Sequence, residues 1–420
     1  MTSRRPPAAR RPGSGDPYGI RPSAALIAPI ISIVGLVIIG WLSLGLITGN
    51  LPFKIGSKGG GPAASLGPAR TATPSNVVIV PSVPPGDIMK GTIVYAKAGS
   101  LWIQDAAGAR QLTNPSTQDD PGSDSMPSFT PDGQWIVYVE TRSMRVLFRL
   151  NLRAPAYYTA TYPIVYRIKP DGTGRQQLAT GLYKTGSYRW WYWMRQPVMS
   201  PNGHTLALFS DGPDPTRSNV VLQFYDTVTK KLTKAGVPEF PPLGHQDADW
   251  SPDGKTLLYV KNGRDGARGA PQIYRLDIKT KAFKAITGPG YDAPRYSPDG
   301  RYIAATQTSA LGTDVVILDA RNGNELARIT DDAHSWGAVW SPAGDRLAYL
   351  HIDGGVTDLL EVVLSGTSGR WDVSAPAALT QNAGLDGASH PDWYIPAADL
   401  PAPTVQPSPS TAPTASPSGH

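Results

Sequence analysis

A short motif recurs five times in this chain of 420 residues, and it constrains the fold more than any other feature. Each copy has an aromatic residue or methionine, then Ser or Thr, then Pro, one variable residue and Gly. The copies occupy residues 127–133, 197–203, 248–254, 294–300 and 338–344, and residues 390–394 form a sixth copy that lacks the turn. Repetition on this scale predicts an array of small β units and not one irregular core.

Each complete unit contains four strand signals. The motif ends the first strand in a tight turn, because Pro presets φ and Gly supplies the left-handed residue that the turn needs. An apolar run follows, such as residues 256–260, and then a third run often closed by Asp, such as residues 273–277. The fourth strand is short and ends in Leu or Ile before Thr or Ala, as at residues 286–287. The pattern predicts one four-stranded sheet per unit.

The two ends of the repeat region complement each other. Residues 92–113 supply the second, third and fourth strand signals without a first, whereas residues 390–394 supply a first strand with nothing after it. Together they complete a sixth unit. The sequence therefore predicts an all-β, six-bladed β-propeller, residues 90–395, closed by pairing of N- and C-terminal strands. Closure in this way removes the unpaired edges of an open array.

The motif and the apolar strand after it resemble the TolB-like family of propeller repeats, also called WD40-like or PD40 repeats. The resemblance covers the predicted propeller, with Asn202 and Ala343 standing where the family pattern has Asp. Such repeats also occur in peptidase-associated propellers, polysaccharide lyases and periplasmic scaffolds, so the resemblance implies the fold and leaves the function open. No Gly-x-Ser-x-Gly motif of a hydrolase follows the propeller.

An uncharged apolar segment precedes the repeats. Residues 24–48 are long enough to cross a bilayer as one helix, because 25 residues at about 1.5 Å each exceed a hydrocarbon layer of about 30 Å. Five arginines precede the segment, and two lysines follow it closely: Arg4, Arg5, Arg10, Arg11 and Arg21, then Lys54 and Lys58. This asymmetry predicts a single-pass signal-anchor in the cell membrane, with residues 1–23 cytoplasmic and the propeller extracytoplasmic, in the cell envelope. A cleaved signal peptide is the alternative, but its apolar region would be shorter.

Composition excludes some classes of function. The net charge is +6, but the first 50 residues contribute +4 of it, so the charge reflects membrane topology and predicts no nucleic-acid partner. The absence of cysteine excludes disulfides and thiolate chemistry. Residues 49–89, rich in Gly and Pro, are predicted to form a flexible stalk, and residues 396–420, rich in Pro, Ser and Thr, a disordered tail.

One unit is longer than the others. The anchor residues Phe129 and Met199 are 70 positions apart, whereas later anchors are 44 to 53 apart. The extra residues fall between the second and third strands (141–162) and after the fourth strand (180–196). In an up-and-down blade both connections leave the face opposite the Pro-Asp-Gly turns, so we expect the two insertions to meet.

The two insertions are rich in aromatic residues and arginine. The candidate binding residues are Arg153, Tyr157, Tyr158, Tyr183, Tyr188, Trp190, Trp191 and Trp193. One interpretation is that the aromatic rings pack the insertions onto the blade. A second is a docking surface for a protein or an envelope polysaccharide, since aromatic and arginine side chains concentrate binding energy. A third, a nucleic-acid surface, conflicts with the predicted location outside the cytoplasm.

Three histidines suggest a second kind of site. His245, His334 and His390 precede anchor residues by five, six and three positions, which places them near one mouth of the central channel. Three imidazoles from different blades could hold a divalent metal, as histidines do in some propeller lyases that the repeat resembles. Their unequal offsets instead favour ordinary loop histidines, so no cofactor is predicted with them.

These observations favour a membrane-anchored, non-catalytic propeller that acts as a binding or scaffold module for a protein or an envelope glycan. The partner is expected on the face that carries the two insertions. The alternative is a metal-dependent carbohydrate lyase or hydrolase with its site at the mouth of the channel.

Overall fold

The computed structural model describes residues 77–80, 89–114, 122–148, 154, 156–185, 188–215, 219–239, 244–262, 270–367 and 370–400. The predicted membrane segment, residues 24–48, lies outside these ranges, as does the tail beyond residue 400. Within the described ranges, no helix is long and apolar enough to span a membrane.

The described chain folds into six blades of four antiparallel strands. The closing blade contains β28 (Asp392–Tyr394), β2 (Thr92–Lys97), β3 (Ser100–Asp105) and β4 (Gly108–Gln111); blade one contains β5 (Gly122–Phe129), β6 (Ile136–Phe148), β7 (Ala156–Ile168) and β8 (Gln176–Thr180). Blade two contains β11 (Arg195–Met199), β12 (Thr205–Ser210), β13 (Val221–Asp226) and β14 (Leu232–Lys234); blade three contains β15 (His245–Trp250), β16 (Thr256–Asn262), β17 (Pro271–Asp277) and β18 (Phe283–Ala285). Blade four contains β19 (Tyr291–Tyr296), β20 (Tyr302–Thr308), β21 (Thr313–Asp319) and β22 (Glu325–Arg328); blade five contains β23 (Ser335–Trp340), β24 (Arg346–Asp353), β25 (Val356–Thr367) and β27 (Ala377–Ala378).

The predicted closure of the ring is confirmed. Strand β28 pairs antiparallel with β2, and Ile93 lies opposite Trp393. The indole Nε1 of Trp393 also donates a hydrogen bond to the carbonyl of Lys90, at 2.9 Å. The first strand of the closing blade therefore comes from the C-terminal side of the repeat region and the other three strands from the N-terminal side.

The core is divided into six apolar clusters, one at each junction between neighbouring blades. Strand β16 shows how one strand serves two junctions. Leu257 and Tyr259 pack towards blade two, whereas Leu258 and Val260 pack towards blade four. Because successive side chains of a strand point to opposite faces and both faces are covered, the second strand of a blade is a continuous apolar run.

A hydrogen-bonded turn explains the recurring motif. In blade three the Ser251 hydroxyl donates to Oδ1 of Asp253 at 2.7 Å and accepts the N–H of Thr256 at 2.9 Å. Blade five has Ala343 at the Asp position, and there the Ser341 hydroxyl donates to Asp345 at 3.0 Å. The turn thus persists where the motif departs from its pattern.

Three additions lie outside the regular blades. Strands β9 (Leu182–Thr185) and β10 (Tyr188–Trp191) form a separate hairpin after blade one. The end of β25 pairs with β26 (Arg370–Ser374), and β1 (Val77–Val80), within the predicted stalk, pairs in parallel with β26. A single turn of 3-10 helix, Ala397–Asp399, follows β28. The sequence pattern predicted none of these elements.

Candidate functional site

Blade one carries an arm formed by the outer halves of β6 and β7. The two strands pair without a register break from Ile136 opposite Ile168 to Phe148 opposite Ala156. Each strand has 13 residues, against six or seven in the second strands of blades two to four. We call residues 142–148 and 156–162 the blade-one arm. The first predicted insertion is therefore largely an extended hairpin.

One face of the blade-one arm is exposed along its whole length. This face carries Ser143, Arg145, Leu147, Tyr157, Thr159 and Thr161. Leu147 lies directly opposite Tyr157, and the two side chains are 52% and 64% exposed. The guanidinium carbon of Arg145 lies 4.9 Å from the centre of the Tyr157 ring. An exposed apolar pair beside a stacked cation is typical of a docking surface.

The opposite face of the arm is partly covered. Met144, Val146 and Tyr162 are partly buried there, whereas Tyr158 is exposed. Register places Tyr157 and Tyr158 on opposite faces of the arm, so the two predicted binding residues do not form one patch. Arg153, also predicted to bind, lies outside the described residues.

The second insertion meets the base of the arm. Its hairpin, β9 and β10, pairs Tyr183 with Trp190, and Trp190 and Trp191 are partly buried. The N–H of Gly181 donates to the carbonyl of Pro163 at 3.2 Å, which joins the second insertion to β7. The second insertion therefore starts beside the base of the arm, next to the end of the first insertion at residue 162. Tyr188 takes part in β10, but its side chain lies outside the described part of the structure.

Trp193 is partly buried against the core and does not belong to the exposed face of the arm. Its ring packs against the apolar cluster between blades two and three. Its backbone N–H donates to Oδ1 of Asp211 at 2.6 Å, and burial raises the pKa of Asp211 to about 6. Of the predicted binding residues with described side chains, only Tyr157 and Tyr158 are strongly exposed.

A buried ionic network holds the base of the arm. Glu140 is fully buried on β6 and accepts a hydrogen bond from Nε of Arg142 at 2.9 Å. Arg175 from the β7–β8 turn also pairs with Glu140, and its Nε donates to the Tyr138 hydroxyl at 2.8 Å. Asp124 lies opposite Glu140, and burial raises its pKa to about 7. Sequence reasoning missed this network, because its members are distant in sequence.

The innermost strands of the blades line a small cavity in the central channel. In blades one to five each innermost strand has a register shift, with a left-handed residue at Met126, Gln196, Asp247, Ala293 and Gly337. Met126, Gln196, Asp247 and His390 line a cavity of about 30 Å³ at the axis. Nδ1 of His390 lies 3.5 Å from Oδ1 of Asp247. A space of this size holds about one water molecule.

A charged trio lies beside this cavity. The residue before the anchor is Asp249 in blade three, Arg295 in blade four and Asp392 in the closing blade. Nη1 of Arg295 is 3.9 Å from Oδ1 of Asp249, and burial raises the pKa of Asp249 to about 7. Burial also raises the pKa of Asp392, whose Oδ2 accepts the N–H of Phe129 at 2.7 Å. The signal for this trio was present in the sequence as charged residues at one repeat position.

The three candidate metal-binding histidines occupy different environments. His245 is buried against Tyr259, with ring centres 5.4 Å apart, and burial lowers its pKa to about 4. His334 is exposed and lies edge-on to His351 at 6.3 Å, whereas His390 lines the channel. The described residues contain no group of three or more His, Cys, Asp or Glu side chains placed to hold a metal ion. The three imidazoles therefore do not converge: His245 faces the core, His390 lines the channel and His334 is exposed.

A comparison with models of protein families agrees with this architecture. The family model described as the TolB beta propeller domain matches residues 173–382. Similar solved structures include TolB from Acinetobacter baumannii, at 21% identity and a TM-score of 0.49, with 72% of this chain and 66% of that chain covered. A candidate TolB from Agrobacterium tumefaciens has 16% identity and a TM-score of 0.49, with coverage of 73% and 94%. An oligogalacturonate lyase from Vibrio parahaemolyticus has 13% identity and a TM-score of 0.41, with coverage of 64% and 73%. No curated protein sequence matches the chain.

Proposed function

The chain belongs to the TolB beta-propeller family, and from that premise we propose that it is a non-catalytic binding module whose blade-one arm docks a protein partner. The propeller fold supports a binding or scaffold role. The observation that carries the proposal is the exposed pair of Leu147 and Tyr157 on the arm.

The arm has the physical properties of a docking element. Its paired strands fix the positions of Leu147 and Tyr157, so little conformational entropy is lost when a partner covers them. Burial of these side chains contributes about 25 cal/mol per Å² of apolar surface. Arg145 can donate hydrogen bonds to a partner carboxylate while it stacks on Tyr157. Because this face is a raised strand surface and not a concave pocket, a protein fits it better than a sugar chain does.

The enzyme alternative has less support from the described residues. The axial cavity of about 30 Å³ is far smaller than the roughly 300–1,000 Å³ of small-molecule sites. The carboxylates and the arginine beside it are bound to blade backbones and to each other, as at Asp249 and Arg295. Their arrangement favours a structural role for the channel.

Membrane anchoring through residues 24–48 is part of the same proposal, and it rests on the apolar run and the arginines before it. In intact cells of the native host, external protease should remove the propeller while residues 1–23 stay protected. Cleavage of residues 1–23 under the same conditions would refute the proposed orientation.

The docking role is tested by photo-crosslinking. A photoreactive amino acid at position 157 should label a defined protein partner, and the double variant Leu147→Ser and Tyr157→Ser should abolish its recovery. Val228 and Leu311 are 72% and 88% exposed but lie away from the arm, so Val228→Ser with Leu311→Ser is the matched control. Equal recovery of the partner by both double variants would contradict the proposal.

A further inference from the structure

A second cavity lies on the other face of the propeller, between blades two and three. It has a volume of about 660 Å³, within the range of small-molecule sites. Its walls are the turns β11–β12, β13–β14, β15–β16 and β17–β18, which join strands at the end opposite the blade-one arm. We call this cavity the turn-face groove.

Two aromatic rings form the floor of the groove. Phe224 and Trp250 lie with their ring centres 5.8 Å apart, and both are partly buried. The Trp250 Nε1 donates to the carbonyl of Val198 at 3.2 Å, which fixes the indole in place. The floor is therefore a rigid apolar platform with part of its surface open to solvent.

At the junctions between blades three and four and between blades four and five, side chains occupy the place that corresponds to the groove. Arg275 occupies in β17 the position that Phe224 occupies in β13, two residues before the closing Asp. Its Nη1 crosses to blade four and donates to the carbonyl of Ala320 at 2.6 Å. Between blades four and five, Trp371 packs on Tyr302 and Trp340, with ring centres 5.1 and 6.1 Å away. Phe224 meets blade three through the ring of Trp250 and through Lys281, whose Nζ lies 5.1 Å from the centre of the Phe224 ring, and the groove lies over these rings.

The groove is lined by two carboxylates and two ammonium groups, and the carboxylates already accept hydrogen bonds from the chain. Asp226 accepts two backbone N–H groups through Oδ1, from Val228 at 2.9 Å and Thr229 at 2.7 Å. Asp253 is likewise engaged, by Ser251 and by Lys255, whose Nζ lies 3.1 Å from Oδ2. Lys231 and Lys281 line the groove, and neither has an ion-pair partner among the residues that the structure describes.

We propose that the turn-face groove binds an acidic saccharide, with a sugar ring on the Trp250 face and a carboxylate of the sugar at Lys231 and Lys281. The apolar face of a sugar ring can cover the indole, as other flat ligands cover aromatic platforms. The two ammonium groups select a ligand that carries negative charge. Asn202 and Thr229 also line the groove and offer neutral hydrogen-bonding groups to sugar hydroxyls.

Titration calorimetry of the full-length protein in detergent tests this proposal with three probes: a short oligomer of glucuronic acid, a glucose oligomer of the same length, and inorganic phosphate. Only the glucuronic acid oligomer should bind, and more weakly as the salt concentration rises. Binding of phosphate with the same affinity would show an anion site without sugar recognition, and equal binding of the glucose oligomer would remove the role of charge. Either result overturns the proposal.

Matched lysine variants sharpen the test. Lys231→Gln with Lys281→Gln should weaken binding of the acidic oligomer by about tenfold or more, since two charge-assisted hydrogen bonds are lost. Lys230→Gln with Lys279→Gln removes the same charge from neighbouring exposed positions outside the groove and should change the affinity by less than about twofold. An equal loss of affinity in the two double variants would overturn the proposal. Because crosslinking through position 157 reports the arm alone, failure at the groove and failure of the docking role are distinguishable.

Discussion

The backbone N–H of Leu222 donates a hydrogen bond to Nδ1 of His245, at a distance of 3.2 Å. In four other blades the equivalent N–H of the third strand donates to a threonine hydroxyl, in the pairs Leu101 with Thr113, Ile273 with Thr287, Val315 with Thr330, and Leu359 with Thr380. Register puts Gly236 at the threonine position of blade two. An imidazole from the next blade thus replaces the missing hydroxyl, and His245 has a structural role.

Replacing His245 with Ala should lower the free energy of unfolding by about 1–3 kcal/mol, because the buried N–H of Leu222 loses its acceptor. Thr330→Ala removes the same type of bond in blade four and should cost a similar amount. His204 is exposed, so His204→Ala is the control and should change stability by less than about 0.5 kcal/mol. Urea unfolding measures all three, and a His245→Ala variant as stable as the control would contradict this role.

Asp249 should make the stability depend on pH. Burial, with Asp392 nearby, raises its pKa to about 7, although Arg295 acts against the rise. A carboxyl group whose folded pKa exceeds its unfolded value stabilises the protein fully below the unfolded value of 3.8, and this contribution is lost as the pH rises towards 7. The stability of the wild type relative to Asp249→Asn should therefore fall between about pH 4 and pH 7. The change should be a few kcal/mol, since one pKa unit corresponds to about 1.4 kcal/mol.

Asp253→Asn is the control for this measurement. The pKa of Asp253 is lowered to about 2, chiefly by the hydrogen bond from Ser251, so Asp253 stays ionised throughout that window. Urea titrations between about pH 4 and pH 7 should show the same change of unfolding free energy with pH for Asp253→Asn as for the wild type. If the free energy of unfolding of Asp249→Asn changed with pH as steeply as that of the wild type, the prediction of a raised pKa for Asp249 would be wrong.

Glu140 should determine the rigidity of the arm. Glu140→Gln removes the anion that pairs with Arg142 and Arg175, and we expect a loss of about 1–3 kcal/mol. The loss should be smaller than the 3–5 kcal/mol of a wholly buried pair, because the two arginine side chains are 28% and 39% exposed and can be hydrated. Amide hydrogen exchange in residues 142–148 should become faster. Glu239→Gln breaks an exposed pair with Lys234 and should leave both measurements unchanged. If amide hydrogen exchange in residues 142–148 were unchanged in Glu140→Gln, the ionic network would not be what keeps the arm rigid.

The number of blades and their closure could be predicted because each depends on local signals that repeat. The site could not be predicted to the same extent, since side-chain direction depends on register. His245 and His390 lie five and three residues before their anchors, with a register shift in β15 after Gln246, and one faces the core while the other faces the channel. Likewise Leu232 and Thr233 in blade two fit the sequence pattern of a fourth-strand end, but register places Ala235 and Gly236, three residues later, at the positions of Ile286 and Thr287 in blade three. Contacts such as that of Glu140 with Arg175 join segments that are distant in sequence, so no repeating sequence pattern predicts them.

Gly91 should report on the closure of the ring. It has a φ of +78°, and a Cβ there would lie 2.3 Å from the carbonyl oxygen of Tyr394 in β28. Gly203 has a φ of +75° but nothing within 4 Å of the same position, so Gly203→Ala is the matched control. Both variants should lose about 1–2 kcal/mol from left-handed strain. Gly91→Ala should lose at least about 2 kcal/mol more, because a backbone contact below 3 Å must push β28 away from β2. Urea unfolding compares the two. Equal losses of unfolding free energy would mean that β28 moves away from the new methyl group at no cost. The pairing of β28 with β2 would then not contribute to closing the ring of blades.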